Sequence, residues 1–494
     1  MHNFEIITTF DDAKKMTESG SYSIVPIAAE ILSDMLTPIK VMTRLKEASH
    51  HCFMLESVDS AKKWGRYTFL GYEPSMEITC TDGKLRIKNG DVKQFENVNP
   101  REYIKKILRE YKSPHCSNLP TFTGGLVGYF SYDYIKYSEP QLKLDAEDTE
   151  NFKDVDLMLF DKVIAFDSNM QKVFIIINIA VDNLTENYKK ACDELKEISE
   201  LIINGRSHKS EPLKLKSEIK PLFTKVEYCS MVEKAKKYIY DGDIFQVVLS
   251  NRLEAEAEGS LFDTYRILRT ENPSPYMFYF SSDDVEIAGA SPETLVRLDN
   301  GVLHTYPLAG TRPRGKSENE DLALKYDLLS DEKELAEHNM LVDLGRNDIG
   351  RISKIGTVEV DKYMEVQYFS KVMHIGSSVK GELADDKDAL DAVDSILPAG
   401  TLSGAPKLRA CEIINELENN KRGIYGGAIG YLDFSGNLDV CIAIRLAVKK
   451  NGKLFIRSGA GIVADSVPEK EYQECINKAG AVVQAVKRAE GGIN

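Results

Sequence analysis

The apolar residues of the chain alternate between short strand-like runs and longer stretches with helical spacing. In the first zone, the pattern predicts strands over residues 67–70, 126–130, 162–165 and 173–181. The same zone contains two stretches with helical periodicity, residues 26–47 and 184–204. We therefore predict a first domain over residues 1–204 that mixes both kinds of element.

Residues 205–221 are polar and rich in lysine, and two prolines interrupt them, so we predict a linker there. The third zone, residues 222–490, contains strand-like runs at residues 247–249, 424–432 and 454–456. Helical periodicity covers residues 224–241, 331–344, 405–418 and 468–488. Because strands and helices do not alternate strictly, we favour an α+β fold over a doubly wound parallel sheet.

Composition narrows the class of protein. The formal net charge is -14 at pH 7, which argues against nucleic-acid binding because phosphates require a basic surface. The eight cysteines are scattered and form no CxxC pair, so we expect neither a disulfide framework nor a zinc site, and a reducing cytoplasm is the simplest location. The N-terminus lacks a basic segment followed by an apolar run, so no signal peptide is expected. The longest apolar run, residues 173–181, is too short to span a membrane.

Two of the predicted helices begin next to residues that favour helix starts. Asp331 has the capping-box spacing to Glu334 before the first helix, and Ser466 has the same spacing to Glu469 before the second. Pro468 suits the first turn of the second helix. We therefore expect both helices to start at these positions.

Each of these two helices carries a pair of glutamates, namely Glu334 with Glu337 and Glu471 with Glu474. The i,i+3 spacing places both carboxylates of a pair on one helix face, and Lys478 lies one turn further along the second. Four carboxylates that face one another require a cation, and Mg2+ prefers oxygen ligands and shares its shell with anionic substrates. On spacing alone, a solvated helix face is the commoner explanation of such a pair.

A glycine-containing turn and an arginine are candidate contacts for an anionic substrate. Residues 457–462, Arg-Ser-Gly-Ala-Gly-Ile, follow a strand-like run, and glycines let backbone N–H groups approach a carboxylate. Arg445 ends another strand-like run, and an arginine binds a carboxylate through two hydrogen bonds. A surface ion pair is the alternative for Arg445, and a packed core position is the alternative for His374.

Nucleotide binding is excluded although glycine-rich patterns are present. Residues 400–407 lack the GK[ST] ending of a phosphate-binding loop, and Pro406 removes a backbone donor. Residues 124–129 and 426–431 resemble each other, but neither has the GxGxxG spacing. We interpret them as two glycine-containing strands whose backbones approach another strand closely.

Taken together, these segments resemble the chorismate-utilising enzyme family. The matching segments, in the order found in the family, are SPETLVRL (291–298), PLAGTRPRG (307–315), ELAEHNMLVDLGRND (334–348), VMH (372–374), GTLSGAPK (400–407), GGAIGY (426–431) and RSGAGIV (457–463). The resemblance covers residues 223–486. It implies a large antiparallel-sheet core of two packed sheets flanked by helices.

Within that family, the chain resembles the anthranilate synthase large subunits. Position 309 is alanine, whereas aminodeoxychorismate synthases typically have a lysine there, so covalent attack by residue 309 is excluded. Gln246 occupies a position that resembles the lysine base of isochorismate and salicylate synthases. Glutamine cannot deprotonate water, and ammonia needs no such activation, so Gln246 fits an amine nucleophile.

The resemblance implies a Mg2+-dependent enzyme that converts chorismate and ammonia to anthranilate and pyruvate, the first step of tryptophan biosynthesis. Glu337 and Glu474 are expected to bind Mg2+, and Glu334 and Glu471 are expected to support the site. Glu293 is expected to protonate the leaving ring hydroxyl, for which its pKa must be raised.

The resemblance also assigns the contacts with chorismate. The expected binding residues are Gly310, Thr311, Tyr425, Arg445, Gly459, Ala460, Gly461 and Lys478. Arg445 is expected to hold the enolpyruvyl carboxylate. Thr401 and His374 are expected to contribute to the loss of the proton and of pyruvate.

The N-terminal zone resembles the same subunits at residues 54–57, Met-Leu-Glu-Ser, and 64–67, Trp-Gly-Arg-Tyr. In the family, the first of these segments and residues 272–277 form a tryptophan-binding site. The residues implied here are Glu56, Ser57, Pro275, Tyr276 and Met277. A ligand between two zones biases how they pack, which is a route to feedback inhibition. Without the resemblance, both segments also fit ordinary core and turn.

No glutaminase domain is recognised, because no cysteine stands in a strand–turn–helix elbow. The resemblance therefore implies a separate glutamine amidotransferase subunit, in a heterodimer or heterotetramer.

Three alternatives remain open: an aminodeoxychorismate synthase, a non-catalytic tryptophan-sensing regulatory subunit, and a Mg2+-dependent isomerase. Ala309 argues against an aminodeoxychorismate synthase. The complete set of acidic residues, together with Arg445, argues against a non-catalytic subunit. A test for dependence on ammonia would distinguish the isomerase.

Overall fold

The structure, a computed structural model, describes residues 4–18, 20–57, 65–368 and 372–493. The α-helices are α1 (Phe10–Thr17), α2 (Pro38–Ala48), α3 (Pro100–Glu110), α4 (Ile135–Ser138), α5 (Leu184–Asn204), α6 (Lys225–Tyr240), α7 (Phe262–Glu271), α8 (Glu318–Ser330), α9 (Glu332–Gly350), α10 (Ala389–Ile396), α11 (Lys407–Glu418) and α12 (Pro468–Ala489). None of the helices formed by these residues has a stretch long and apolar enough to cross a bilayer.

The strands are β1 (Glu5–Ile6), β2 (Ile24–Leu32), β3 (Cys52–Glu56), β4 (Tyr67–Tyr72), β5 (Met76–Thr81), β6 (Lys84–Asn89), β7 (Asp91–Phe95), β8 (Gly125–Phe130), β9 (Val155–Phe160), β10 (Lys162–Asp167), β11 (Lys172–Ala180), β12 (Lys214–Leu215), β13 (Lys220–Pro221), β14 (Gln246–Glu258), β15 (Tyr276–Ser281), β16 (Val285–Ser291), β17 (Thr294–Asp299), β18 (Val302–Thr305), β19 (Leu308–Pro313), β20 (Glu359–Tyr368), β21 (Val372–Glu382), β22 (Gly404–Ala405), β23 (Ala428–Asp433), β24 (Leu438–Ile442), β25 (Leu446–Lys450) and β26 (Lys453–Ile462).

These strands assemble into two antiparallel sheets. The first has the order β1-β2-β11-β10-β4-β3-β15-β16-β25-β26-β14-β12, and β13 and β22 also pair with β14. The second has the order β19-β21-β18-β17-β24-β23-β8-β9-β5-β6-β7, and β20 also pairs with β21. The prediction of an α+β fold with two packed antiparallel sheets is confirmed.

Three apolar layers hold the sheets and helices together. Between the sheets, Phe53, Phe278 and Ile287 of the first pack with Tyr129 and Ile429 of the second. Helices α2, α5, α7 and α12 cover the outer face of the first sheet, and α3, α9 and α10 cover the outer face of the second. Each fully buried large apolar side chain contributes about 1.5–3 kcal/mol relative to an exposed one.

Both sheets combine strands from the two predicted zones. In the second sheet, β8 pairs with β23, and Gly128 lies directly opposite Gly430. These glycines belong to the two similar segments found in the sequence. A side chain on Gly128 would collide with the backbone of Asp156, and one on Gly430 with that of Asp439, so the predicted close backbone approach is confirmed. The boundary predicted at residues 205–221 divides the sequence but not the sheets.

Two segments differ from the predictions. The helix predicted over residues 26–47 is wrong in its first half, because the chain forms β2 there before α2 begins. β2 lies between β1 and β11, where Ala29 pairs with Ile175, and this pairing outweighs the helical propensity of the run. Residues 205–221 are more than a connection, because β12 and β13 pair with β14 and Leu213 is fully buried.

Candidate active site

Strands of both sheets and two helices enclose a cavity of about 600 Å3, a volume typical of small-molecule sites. Its walls come from β14, β19, β21, β26, α9 and α12, and from the segments that follow β16 and β24. The predicted residues that line this active-site cavity are Glu293, Gly310, Thr311, Glu334, Glu337, His374, Thr401, Tyr425, Arg445, Gly459, Gly461, Glu471, Glu474 and Lys478. Residues from distant parts of the sequence therefore converge here.

Ala460 is the exception among the predicted chorismate-binding residues. It lies on β26 between Gly459 and Gly461, and successive side chains of a strand point to opposite faces. Its methyl group packs in the apolar cluster that contains Tyr228 and Ile413. The methyl group of Ala460 therefore points away from the cavity, and the predicted contact between Ala460 and chorismate, which would use its backbone, stays a prediction.

The two helices that carry the paired glutamates start close to the predicted positions. Asp331 is the N-cap of α9, and its carboxylate accepts hydrogen bonds from two backbone N–H groups of the first turn. Pro468 is the first residue of α12, but the N-cap is Val467, so the prediction for Ser466 is wrong. The hydroxyl of Ser466 instead accepts a hydrogen bond from the N–H of Val463 at 3.1 Å.

The paired glutamates of α9 and α12 face the same cavity, and their charges interact. Burial and the neighbouring Glu334 raise the pKa of Glu337, and Glu474 adds to the effect. Burial and Glu474 also raise the pKa of Glu471. Lys478 offsets part of this repulsion, because its ammonium lies 2.7 Å from a carboxylate oxygen of Glu474. The group still carries an excess of negative charge, which a bound cation would neutralise.

This donor set fits a divalent metal ion that prefers oxygen. All four glutamates offer carboxylate oxygens, the ligands that Mg2+ takes in proteins. Among the described residues, three metal-ligating atoms lie within 4.8 Å of one another only at His51, Glu77 and Asp283. The four glutamates are therefore spaced more openly, with room for water or substrate oxygens in the metal shell.

The trio of His51, Glu77 and Asp283 is explained by ordinary ion pairs. His51 Nε2 lies 2.8 Å from Asp283, and Lys88 Nζ lies 2.8 Å from Glu77. Arg86 lies 3.7 Å from Glu77 and 3.6 Å from Asp283. Because these cations already neutralise the carboxylates, the trio adds no argument for a metal site.

Glu293 lies two residues beyond the end of β16, and the pKa of its carboxyl group is raised. The hydroxyl of Thr401 donates a hydrogen bond to Glu293 Oε1 at 2.9 Å. Burial raises the pKa of Glu293 to about 7, although Thr401, Arg445 and Lys478 all lower it. A carboxyl group with this pKa is partly protonated near neutral pH, so Glu293 is suited to act as a general acid.

Arg445 presents a cation to the cavity from a strained backbone position. It follows β24 with a φ of 51°, a left-handed conformation that is uncommon for a residue with a side chain. Its carbonyl accepts a hydrogen bond from the N–H of Ala290 at 3.1 Å, which helps to hold this conformation. Burial lowers the pKa of the guanidinium, and Glu293 opposes the shift. A guanidinium so placed is suited to bind a substrate carboxylate.

His374 on β21 is oriented by the adjacent β19. Its Nδ1 lies 2.8 Å from the carbonyl oxygen of Gly310 and 3.1 Å from Thr311 Oγ1. Because a carbonyl only accepts, Nδ1 carries the proton and the neutral ring has its lone pair on Nε2. Burial lowers the pKa of His374, which favours this neutral form. Gly310 has a φ of 64°, and a methyl group there would lie 2.9 Å from Leu328, so the position requires glycine.

Two further cavity residues were not predicted as functional. Lys333 lowers the pKa of both Glu337 and Glu471. It precedes Glu337 by four residues, so helical spacing could have placed it on the same face. Arg457 also lines the cavity, but its guanidinium is held by Glu418 at 2.9 Å. No local spacing signals that buried pair, because its partners come from different elements.

The predicted tryptophan-site residues also meet, at the junction of β3 and β15. Met277 pairs with Glu56 across the two strands, and Pro275 directly precedes β15. Glu56 accepts hydrogen bonds from the Tyr265 hydroxyl at 2.5 Å and from Arg269 Nε at 2.6 Å. Trp64, part of the second motif of the N-terminal zone, lies outside the described residues.

Tyr276 faces the layer between the two sheets. Its hydroxyl donates to Asp439 at 2.8 Å and lies 2.9 Å from Thr294 Oγ1. The hydroxyl of Ser57 is buried and has no hydrogen-bond partner in the described part of the chain. The junction therefore brings all five predicted residues near one strand pair, but distributes them over both faces of the sheet.

The chain matches the sequence model of the family described as chorismate binding enzyme over residues 50–484. Anthranilate synthase component 1 of Acetivibrio thermocellus is 48% identical, over 97% of this chain and 98% of that protein. The protein of the same name from Aquifex aeolicus is 43% identical, over 98% of each chain. These relatives match almost the whole sequence, including both predicted zones.

Solved structures agree with the sequence comparisons. The crystal structure of anthranilate synthase component I from Streptococcus pneumoniae TIGR4 has a TM-score of 0.74 and 41% identity, and covers 92% of this chain and 98% of that chain. The menaquinone-specific isochorismate synthase of Escherichia coli is 18% identical with a TM-score of 0.71, over 97% and 99% of the two chains, and shows the fold alone. This chain therefore belongs to the chorismate binding enzyme family, within the group of anthranilate synthase component 1 enzymes.

Proposed function

We propose that the protein converts chorismate and ammonia to anthranilate and pyruvate. The observation that carries the proposal is one cavity in which Glu293, with a pKa of about 7, interacts with Arg445 and faces two glutamate pairs. These groups offer an acid for a leaving hydroxyl, a cation for a carboxylate and oxygen ligands for a metal ion. Amination of chorismate with loss of its ring hydroxyl needs all three.

Glu337 and Glu474 are the residues that we expect to bind Mg2+, with Glu334 and Glu471 in support. When bound, the ion supplies positive charge for the ring carboxylate and for the departing hydroxyl. Lys478 bridges Glu474 and a carbonyl oxygen of β26, at 2.7 Å and 3.2 Å. This bridge holds Glu474 of α12 close to the strand that lines the cavity.

In the first step, Arg445 binds the enolpyruvyl carboxylate and Glu293 donates its proton to the ring hydroxyl, which leaves as water. The hydrogen bond from Thr401 fixes the orientation of the Glu293 carboxyl group. Ammonia attacks the ring as the hydroxyl departs. Ala309 offers no competing nucleophile, and the amide of Gln246 lines the same cavity without acting as a base for water.

In the second step, the aminated ring loses a proton and the enolpyruvyl group. Nε2 of His374 accepts the ring proton, because the ring is neutral and Nδ1 is committed to the carbonyl of Gly310. The bond between the ring and the enolpyruvyl oxygen breaks, and the enolpyruvate takes up a proton to become pyruvate. The ring is then aromatic, which makes this step strongly favourable.

We propose that a glutaminase subunit supplies the ammonia in a heterodimer or heterotetramer. The support is that the relatives are named component 1. All eight cysteines of the chain are free, which is consistent with a reducing cytoplasm.

We also propose that tryptophan inhibits the enzyme at the junction of β3 and β15. Strand pairing and hydrogen bonds connect this junction with the proposed acid. Tyr276 pairs with Ser291 across β15 and β16, and Ser291 Oγ accepts a hydrogen bond from the N–H of Glu293 at 3.3 Å. The Tyr276 hydroxyl also contacts Thr294, the next residue. A ligand that shifts Tyr276 therefore displaces Glu293.

The test is an assay of the purified chain with chorismate, Mg2+ and an ammonium salt. Equal amounts of anthranilate and pyruvate, abolished by chelation of the metal and reduced by tryptophan, would support the proposal. An aminated product that retains the pyruvyl group would instead identify an aminodeoxychorismate synthase. Binding of tryptophan without consumption of chorismate would identify a regulatory subunit.

A further inference from the structure

Behind one wall of the active-site cavity lies a cluster of three buried charged side chains, Glu418, Arg422 and Arg457, to which the proposed mechanism assigns no role. Their exposed fractions are 2%, 4% and 5%. Glu418 is the last residue of α11, and Arg457 lies on β26. Val248, Leu402 and Arg457 all line the cavity, so the cluster lies where three segments of its wall meet.

The cluster holds one more positive charge than its carboxylate balances. Arg422 lies 2.6 Å and Arg457 lies 2.9 Å from Glu418, the one carboxylate that either guanidinium contacts in the described part of the chain. The other donors of Arg457 bind Ser250 and residues 420–421. An unbalanced buried charge is costly, and one arginine would be enough to neutralise Glu418. Charge balance therefore does not account for the second arginine.

The hydrogen bonds of Arg422 provide another explanation. Its Nε donates to Glu418 at 3.0 Å. Its Nη1 donates to the carbonyl oxygen of Leu402, and its Nη2 donates to that of Val248, both at 2.6 Å. Because a guanidinium is planar and rigid, these bonds hold the end of α11, strand β14 and Leu402 in one fixed arrangement.

Leu402 belongs to the turn that carries the hydrogen-bond donor of the proposed acid. Gly400–Leu402 form a single 3-10 turn, and the hydroxyl of Thr401 within it donates to Glu293 at 2.9 Å. Because the three residues form one rigid turn, a shift of the Leu402 carbonyl moves Thr401 with it. Arg422 is the member of the cluster that contacts this turn.

We propose that Arg422 is a positioning residue for the reaction, because it holds the Thr401 hydroxyl in hydrogen-bonding position for Glu293. It acts through the carbonyl group of Leu402, and it does not touch the substrate. The proposal rests on the proposed function, in which Glu293 is the general acid.

Loss of this contact has a defined effect on the acid. Thr401 lowers the pKa of Glu293, as do Arg445 and Lys478, whereas burial raises it. A displaced Thr401 no longer donates to the carboxylate, so the pKa of Glu293 rises. Arg445 and Lys478 come from the segment after β24 and from α12, and neither is held by Arg422, so their effect on Glu293 stays the same.

The first test removes the contact with Arg422→Met, which leaves Glu418 and Arg457 as a balanced pair. We expect the fall of kcat/KM, measured at constant free ammonia, to move to higher pH. Below that pH, kcat/KM should be lower than in the parent by about tenfold or less, as for one hydrogen bond. Ser250→Ala is the matched control, because it removes hydrogen bonds to Glu418 and from Arg457 but none from Arg422. Equal shifts in both variants, or a shift in neither, would overturn the proposal.

The second test separates position from charge, because the loss of a nearby positive charge would also raise the pKa of Glu293. Arg422→Lys keeps the charge but not the planar guanidinium, and it serves as the test if Arg422→Met does not fold. We expect the fall of kcat/KM to move to higher pH in this variant too. A pH profile identical to that of the parent would mean that Arg422 acts by its charge, and would overturn the proposal.

The third test combines Arg422→Lys with Thr401→Val. If Arg422 acts through Thr401, the second change adds no further pH shift once the hydroxyl is absent. A further shift as large as that of Arg422→Lys alone would overturn the proposal, because independent effects add. If the parent forms no anthranilate, the proposed function fails. If the parent forms anthranilate and the Arg422 variants titrate like the parent, only the role of Arg422 fails.

Discussion

Two glutamates, the buried Glu286 and the half-buried Glu293, lie at opposite ends of β16 and titrate in opposite directions. Glu286, the second residue of the strand, lies 3.2 Å from Lys449 and 3.7 Å from Lys46, and accepts a hydrogen bond from Ser260. Burial favours the neutral acid, but these cations and donors lower the pKa of Glu286 to about 2. The carboxylate is therefore ionised at neutral pH.

Glu293, beyond the other end of the same strand, receives one side-chain hydrogen bond, from Thr401. Arg445 and Lys478 act on it without forming an ion pair, and burial raises its pKa to about 7. The comparison shows that burial alone does not decide the role of a carboxylate. A carboxylate surrounded by cations is part of the scaffold, whereas one left short of partners holds a proton that chemistry can use.

The largest effect is expected from Glu293→Gln, which keeps the shape of the side chain and removes the acid. We expect kcat to fall by about 10²–10⁴-fold with ammonia as the nucleophile, because a general acid contributes that much. The thermal unfolding midpoint should hardly change. A variant that keeps a tenth of the parent turnover would mean that another group protonates the leaving hydroxyl.

The matching change at the other end, Glu286→Gln, should act on stability and not on catalysis. It leaves Lys46 and Lys449 beside a neutral amide, and breaking a buried ion pair costs about 3 kcal/mol. Urea unfolding measures this loss, and turnover per folded molecule should stay at the parent value. Glu258→Gln, which removes an exposed pair with Lys216, is the control and should leave the unfolding free energy nearly unchanged.

The pH dependence of that stability difference has a defined sign. The folded pKa of Glu286, about 2, lies below its unfolded value of about 4.3. The stabilisation is therefore fully present above the unfolded pKa and is lost as the pH falls through the folded one. The parent and Glu286→Gln should converge in unfolding free energy between pH 4 and pH 2. A constant difference across this range would contradict the assignment.

A smaller effect is expected from Thr401→Val. Glu293 is active when protonated, so kcat/KM should fall as the pH rises through about 7, provided that the concentration of free ammonia is held constant. The Thr401 hydroxyl lowers the pKa of Glu293. Its removal should therefore move the fall of kcat/KM to higher pH. We expect a loss of about tenfold or less in rate, as for one hydrogen bond. If kcat/KM falls at the same pH or at a lower pH in the variant, Thr401 is excluded as the hydrogen-bond partner that sets the pKa of Glu293.

The contrast between the two ends of β16 could not be predicted from the sequence, whereas the glutamate pairs could. Helical spacing is local, so Glu334, Glu337, Glu471 and Glu474 reveal a shared face without knowledge of the fold. The lysines that surround Glu286 come from α2 and β25, far away along the chain. Only the resemblance to a family singled out Glu293 as an acid.

The orientation of Ala460 and the formation of β2 have equally physical causes. Because a strand alternates its faces, Gly459 and Gly461 on the cavity side place the side chain of Ala460 on the opposite face. The segment that forms β2 contains good helix formers, and it becomes a strand because β11 lies beside it. The partner strand of β2 is not encoded in the local pattern of residues.

The smallest expected effect tests which end of β16 transmits the inhibition by tryptophan. Tyr276→Phe removes the hydroxyl that contacts Thr294 beside Glu293, whereas Tyr279→Phe removes the one that donates to Glu286. We expect Tyr276→Phe to weaken inhibition by tryptophan about threefold to tenfold, since single residues change coupling by about 0.5–2 kcal/mol. Turnover without tryptophan should change less. Tyr279→Phe should leave the concentration for half-inhibition unchanged, because Glu286 has no part in the chemistry. Equal loss of inhibition in both variants would mean that tryptophan acts through the stability of the whole strand, and not through the end that carries the acid.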